Sequence, residues 1–93
     1  MKILLFNAIW CKDCKTMKPL WRNLRLENPK VEIKNLEVDN HKRYCKLFNI
    51  IDVPTAVFID NEGKELERCV GVQHKDFIIE LIKNIKIYEH TNI

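Results

Sequence analysis

Ninety-three residues set the scale of one domain with a single compact core. A hydrophobic share of 46% against 31% charged is ordinary for a soluble globular fold, and two glycines with three prolines leave little room for linkers. The net charge of +3 is mild, no basic stretch interleaves with aromatics as a nucleic-acid surface needs, and no segment is apolar enough to span a membrane.

Lys2 to Phe6 is a short apolar run, which predicts a strand buried on both faces. The run is too short for the core of a signal peptide, and no small-residue cleavage site follows it, so the cytoplasm is the expected compartment. After Asn7-Ala8-Ile9-Trp10 come Cys11-Lys12-Asp13-Cys14. From Cys14 the apolar residues Met17, Leu20, Trp21 and Leu24 recur at helical spacing, predicting an amphipathic helix that ends near Glu27-Asn28-Pro29. Pro19 falls inside it and is expected to bend it.

Val31 to Val38 alternates as a strand, but the alternation slips phase, predicting an irregularity near Asn35. Asp39-Asn40 is placed to cap a short helix with His41, Tyr44, Cys45 and Phe48 on one face. Thr55 to Ile59 is an unbroken apolar strand, and Asp60-Asn61-Glu62-Gly63 a hairpin turn. Lys64 to Val70 alternates, with Leu66, Arg68 and Val70 on one face and Glu65, Glu67 and Cys69 on the other, exposed, face. Gly71 breaks the strand, and a helix from about His74 to Tyr88 turns Phe77, Ile78, Leu81, Ile82 and Ile85 inward. The order β-α-β-α-β-β-α gives an α/β domain over residues 1–93, its first two strands parallel and its last two an antiparallel hairpin.

The C-x-x-C stretch carries the chemistry. The first turn of a helix has backbone N–H groups without intrahelical partners, and they favour a negative charge. The thiolate is the attacking form of cysteine, so that position suits Cys11 as a nucleophile. Cys14, one turn further on, lies on the same face and can close a disulfide with it. The competing reading is half a zinc site. Cys45, Cys69 and the histidines at 41, 74 and 90 provide no second paired knuckle, so no metal is expected. Cys45 reads as a small core residue and Cys69 as a surface thiol. Trp21 fits the core, whereas Trp10 breaks the periodic pattern and precedes the nucleophile.

Phe6 to Lys15, with Met17 and Pro19, resembles the active-site strand and helix of the thioredoxin family. Val53-Pro54-Thr55 resembles its cis-proline loop, and Asn61-Glu62-Gly63-Lys64 with Val70-Gly71 its hairpin and following glycine. The resemblance implies a thioredoxin-like fold: a mixed four-stranded sheet with helices on both faces, lacking the family's N-terminal strand and helix. It implies Cys11 as nucleophile, Cys14 as resolving thiol, and a substrate groove of Trp10, Lys12, Asp13, Val53, cis Pro54 and Gly71. It further implies a monomer that reduces protein disulfides with no cofactor of its own. An external reductase of thioredoxin-reductase type would recycle it.

The chain departs from the family where thioredoxins carry a buried Asp on the active-site strand. That position, six residues before Cys11, is Leu5. The partner Lys position on the next strand is Asn35, with Lys34 one residue away, and Lys12-Asp13 replaces Gly-Pro between the cysteines. Loss of the buried acid leaves deprotonation of Cys14 to another acceptor, such as Asp13, water or the substrate. Two further readings are a glutathione-coupled glutaredoxin-type enzyme and a non-catalytic binding module using the same groove. Against the former, Val70-Gly71-Val72-Gln73 lacks the Gly-Gly pair and acid of the glutaredoxin site.

Overall fold

The computed structural model describes residues 1–91; residues 92–93 and the side chains of His90 and Thr91 lie outside the described residues, and with them the reading of His90 as no metal ligand. Four strands form one sheet: β1 (Lys2–Asn7), β2 (Glu32–Glu37), β3 (Thr55–Ile59) and β4 (Glu65–Val70), in the order β2-β1-β3-β4. β2 runs parallel to β1, as a strand reached through a helix must. β3 lies antiparallel to both β1 and β4. The helices are α1 (Lys12–Glu27), α2 (Lys42–Leu47) and α3 (Lys75–Thr91).

Alternation along β1 divides the core. Ile3 and Leu5 face one way, into a cluster with Met17, Trp21 and Leu24 of α1 and Ile78, Ile82 and Ile85 of α3. Leu4 and Phe6 face the other way, where Leu36, Val57 and Ile59 meet Cys45 and Phe48 from the α2 segment. Both faces are therefore covered, which is why β1 and β3 read as continuous apolar runs rather than alternating ones. α1 runs unbroken across Pro19. The proline's missing N–H removes only the intrahelical bond to the Lys15 carbonyl.

Several expectations change here. β2 pairs with β1 in unbroken register from Lys2↔Glu32 to Asn7↔Glu37, with no irregularity at Asn35. The slip in its apolar pattern has another cause: Ile33 packs under α1 and α3, while Leu36 packs on the opposite face. The irregularity lies on β4 instead. Phe58 pairs with Glu67 and Ile59 with Glu65, so Leu66 is an extra residue in the ladder. The bulge resets the alternation. Leu66 and Cys69 come to the same face, against α3, and Cys69 is buried rather than a surface thiol. Arg68 turns to the other side, where Nη2 donates to the Phe48 carbonyl at 2.7 Å and Nε and Nη2 grip the Glu65 carboxylate.

Val38–Asn40 forms a 3-10 turn rather than the end of β2. His41, not Asp39 or Asn40, is the N-cap of α2, and it caps without a side-chain bond. Phe77 is half-exposed, because α3 begins at Lys75 and turns its inward stripe through Ile78, Ile82 and Ile85.

Candidate active site

The site forms where β1 ends and α1 begins. Ala8 is buried and its carbonyl accepts the Cys11 N–H at 3.1 Å, which turns the chain sharply into the helix. Cys11 is the N-cap of α1: extended in backbone, with its Sγ accepting the Cys14 N–H at 3.1 Å. A sulfur in that position takes the place of the oxygen that usually caps a helix, and it receives the N–H directed at a developing thiolate. Both thiols are free, and both are buried.

A second segment closes on the pair from across the sheet. The Val53–Pro54 peptide is cis, as the family resemblance implied. The Cys11 thiol donates to the Val53 carbonyl at 3.6 Å, a contact joining residues 42 positions apart. The Thr55 hydroxyl, nearly inaccessible, donates to the Asp52 carbonyl at 2.6 Å and fastens the loop to β3. Gly71 sits at φ +84°, where L residues are strained, and its N–H donates to the Pro54 carbonyl at 2.8 Å. Val53 thus meets the Cys11 sulfur, and Gly71 is tied to the adjoining Pro54. Trp10 is 69% exposed, and Lys12 and Asp13 are exposed on the first turn of α1. Apolar Ile9, Ile51 and Val72, each adjacent or close in sequence to these residues, are also exposed.

The two cysteines differ in their surroundings. Burial pushes the Cys14 thiol up to about 11, the hydrogen bond with Cys11 adds to this, a bond to the Ala8 backbone opposes it, and the electrostatic influence of Cys11 and Glu37 raises it further. Cys14 is therefore held as a thiol at neutral pH. The family's Asp and Lys positions do face each other here, since Leu5 and Asn35 are register partners on β1 and β2. They hold a buried Leu and an exposed Asn, and the Asn7 amide spans to the Leu5 carbonyl at 3.2 Å and the Asn35 side-chain oxygen at 3.4 Å.

Glu37 is the residue that sequence reasoning missed. It ends β2 opposite Asn7, and its Oε1 is buried without a hydrogen-bond partner among the described residues. One signal could have found it: in sheets with parallel strands, sites gather at the strands' C-terminal ends, and Glu37 stands there. Among the described residues no group of three His, Cys, Asp or Glu side chains is arranged to hold a metal ion.

A βαβ unit whose helix opens on a free dithiol, closed by a cis-proline loop from the neighbouring strand, defines the class of thiol–disulfide oxidoreductases. The comparisons make this particular. The family described as Thioredoxin matches residues 1–84, and the chain belongs to the thioredoxin family. It is 36% identical over 77 residues to the thioredoxin of Chlamydia trachomatis and 38% identical over the same length to that of Chlamydia muridarum, covering 83% of this chain and 74% of each relative. Among solved structures, the Fasciola hepatica thioredoxin superposes with a TM-score of 0.81 at 30% identity, covering 89% of this chain and 78% of that one. The Nicotiana alata thioredoxin gives 0.83 at 29%, covering 89% and 70%. The protein is accordingly a protein-disulfide oxidoreductase. Thioredoxins act on disulfide substrates and are reduced by thioredoxin reductase. No helix among the described residues is long and apolar enough to cross a membrane.

Proposed function

We propose that Cys11 attacks a substrate disulfide and that Cys14 resolves the resulting mixed disulfide. The observation that carries this reading is the position of the Cys11 sulfur, between the Cys14 N–H at 3.1 Å and the Val53 carbonyl at 3.6 Å. A thiolate there is met by an N–H of the helix start, and the cis-proline loop lies beside the sulfur where an incoming chain must pass. The Cys11 sulfur bonds one substrate sulfur, and the other departs as a thiolate. Cys14 then bonds Cys11, and the second substrate sulfur departs, leaving the substrate reduced and the Cys11–Cys14 pair oxidised.

The substrate is a disulfide-bearing protein segment, held extended over Trp10, Val53, Pro54 and Gly71, with Lys12 and Asp13 biasing the choice of partner. The chain works as a single domain over residues 1–93 and as a monomer in the cytoplasm. There it passes electrons from an external thioredoxin-reductase-type enzyme to its substrates, and it needs no cofactor of its own.

The reduction potential of the pair, equilibrated in defined thiol buffers with trapped thiols counted, tests the direction of the reaction. A value of about −270 mV is expected of a reductant, and one of about −180 mV overturns that direction. Cys11→Ser is expected to abolish reduction of a disulfide-bonded test protein. Activity surviving in that variant overturns the catalytic role.

A further inference from the structure

The reading of Cys14 as the resolving thiol leaves one step without a partner. Cys14 is buried, protonated at neutral pH, and must lose its proton before its sulfur can attack. Leu5 stands where a carboxylate could have served, and Asp13 is exposed on the first turn of α1.

A cavity of about 470 Å³ opens between α1 and the C-terminal ends of β1 and β2, and Cys14 and Glu37 both line it. Leu5 and Trp21 give it an apolar part. Glu37 Oε1 is the buried side-chain oxygen without a partner among the described residues. Leaving a carboxylate oxygen buried and unpaired is costly, so a structure that retains one calls for a reason. The other charged groups facing the cavity are Lys15, Lys18, Arg22 and Arg25, all from α1. Arg25 is already engaged, its Nη2 donating to the Ile33 carbonyl at 3.1 Å. From the strands come only the neutral amides of Asn7 and Asn35. His41 Nδ1 meets the Glu37 backbone carbonyl at 2.9 Å, and Glu37 Oε1 remains without a hydrogen-bond partner among the described residues. Cys14 is thus the protonated acid of this cavity, and Glu37 its carboxylate.

We infer that Glu37 is the proton acceptor for Cys14 during resolution of the mixed disulfide, working through the cavity the two residues share. The Cys14 S–H gives its proton to the Glu37 carboxylate, directly or across water. The freed electron pair on Cys14 sulfur forms the Cys11–Cys14 bond. The bond between Cys11 and the substrate sulfur breaks, and its pair leaves on the substrate as a thiolate, which takes up the proton from Glu37 or from solvent. No oxidant or reductant beyond the substrate disulfide and the dithiol is involved. The charge of Glu37 also contributes to keeping Cys14 protonated in the resting dithiol.

The test mixes the reduced protein rapidly with 5,5′-dithiobis(2-nitrobenzoate), which releases one chromophore as Cys11 attacks and a second as Cys14 resolves. Glu37→Gln preserves shape and removes the base. It is expected to slow the second phase about 10²-fold at pH 7 with the first phase unchanged, the range of a positioned general base. The deficit should shrink as pH rises, because Cys14 then ionises without help. Glu37→Asp should restore part of the rate. Glu37→Leu, if the Gln variant folds poorly, gives the same comparison. An unchanged second phase overturns the assignment. So does equal slowing of both phases at every pH, which marks a structural role. The inference rests on Cys14 as the resolving thiol, so Cys14→Ser must abolish the second phase. A second phase that survives there refutes that underlying reading, whereas its loss there with Glu37→Gln unaffected refutes the role of Glu37 alone.

Discussion

Cys69 offers the sharpest physical test of the core, because the register that pairs it with buried Ala56 turns it inward under α3. Burial among Ile78, Ile82 and Phe58 pushes the thiol from its ordinary 9.0 up to about 11, and the neighbouring Glu67 charge adds to the rise. In the unfolded chain the thiol ionises near 9, while in the folded chain it stays protonated until near 11. The folded state therefore binds more protons across that window, and stability falls as pH rises through it. At pH 8 and below the group contributes no pH dependence. The loss attributable to Cys69 grows to about 1 kcal/mol at pH 10 and about 2 kcal/mol at pH 11, at roughly 1.4 kcal/mol for each tenfold change. Urea unfolding of the reduced protein and of Cys69→Ala, measured from pH 7 to 11, isolates this share. Every other ionisable group is common to both proteins and cancels in the difference. The variant should be the less stable at pH 7, by about 1 kcal/mol for the lost sulfur contacts, and should draw level with or overtake the parent by pH 11. Parallel curves across the whole range would refute the burial of Cys69.

Three further outcomes follow from the same packing. Gly71→Ala should cost about 1–2 kcal/mol in urea unfolding through its left-handed backbone alone, since an added Cβ at φ +84° meets no atom within 4 Å. Trp21→Ala, which removes a side chain only 4% exposed between α1 and the sheet, should cost about 3–5 kcal/mol by the same measurement. Trp10→Ala should leave the unfolding midpoint within about 0.5 kcal/mol of the parent, because the ring is 69% exposed, while raising KM for a protein disulfide with a smaller change in kcat. A fall in stability with unchanged KM would assign Trp10 to the fold rather than to the groove.

Most of the architecture was legible because the periods are strong. β1 and β3 are continuous apolar runs between two covered faces, and α1 repeats Met17, Trp21 and Leu24 on one face. The C-x-x-C and Val-Pro-Thr segments, far apart in the chain, are brought together as the resemblance implied, with the Cys11 thiol on the Val53 carbonyl. What sequence could not supply was phase. In β2 the switch from Ile33 to Leu36 looks like a kink but records two covered faces. In β4 a real bulge left no mark, because Leu66 continues an alternation that the ladder breaks. Phe77 fell on the apolar count of α3, yet a first-turn residue one step from Ile78 points away from the stripe. No spacing or motif in the sequence singles out Glu37. Its significance lies in what the fold places around its carboxylate, which no local pattern records.

The sheet is held unequally on its two sides. One side carries two helices of 16 and 17 residues, whereas the other is roofed by the six-residue α2, which buries none of its own residues. The guanidinium of Arg68 is a clasp on that thinner roof, since its bond to the Phe48 carbonyl ties the end of α2 to the far edge of the sheet. Amide hydrogen exchange should accordingly release α2 and the turn before it well ahead of β1 and β3, in an opening far smaller than global unfolding. Val38 and Val53, which pack against the dithiol, belong to this looser half, while the helix that carries Cys11 and Cys14 belongs to the tighter one. The reactive sulfurs thus ride on the rigid wall, and the cis-proline loop beside them hangs from the yielding one.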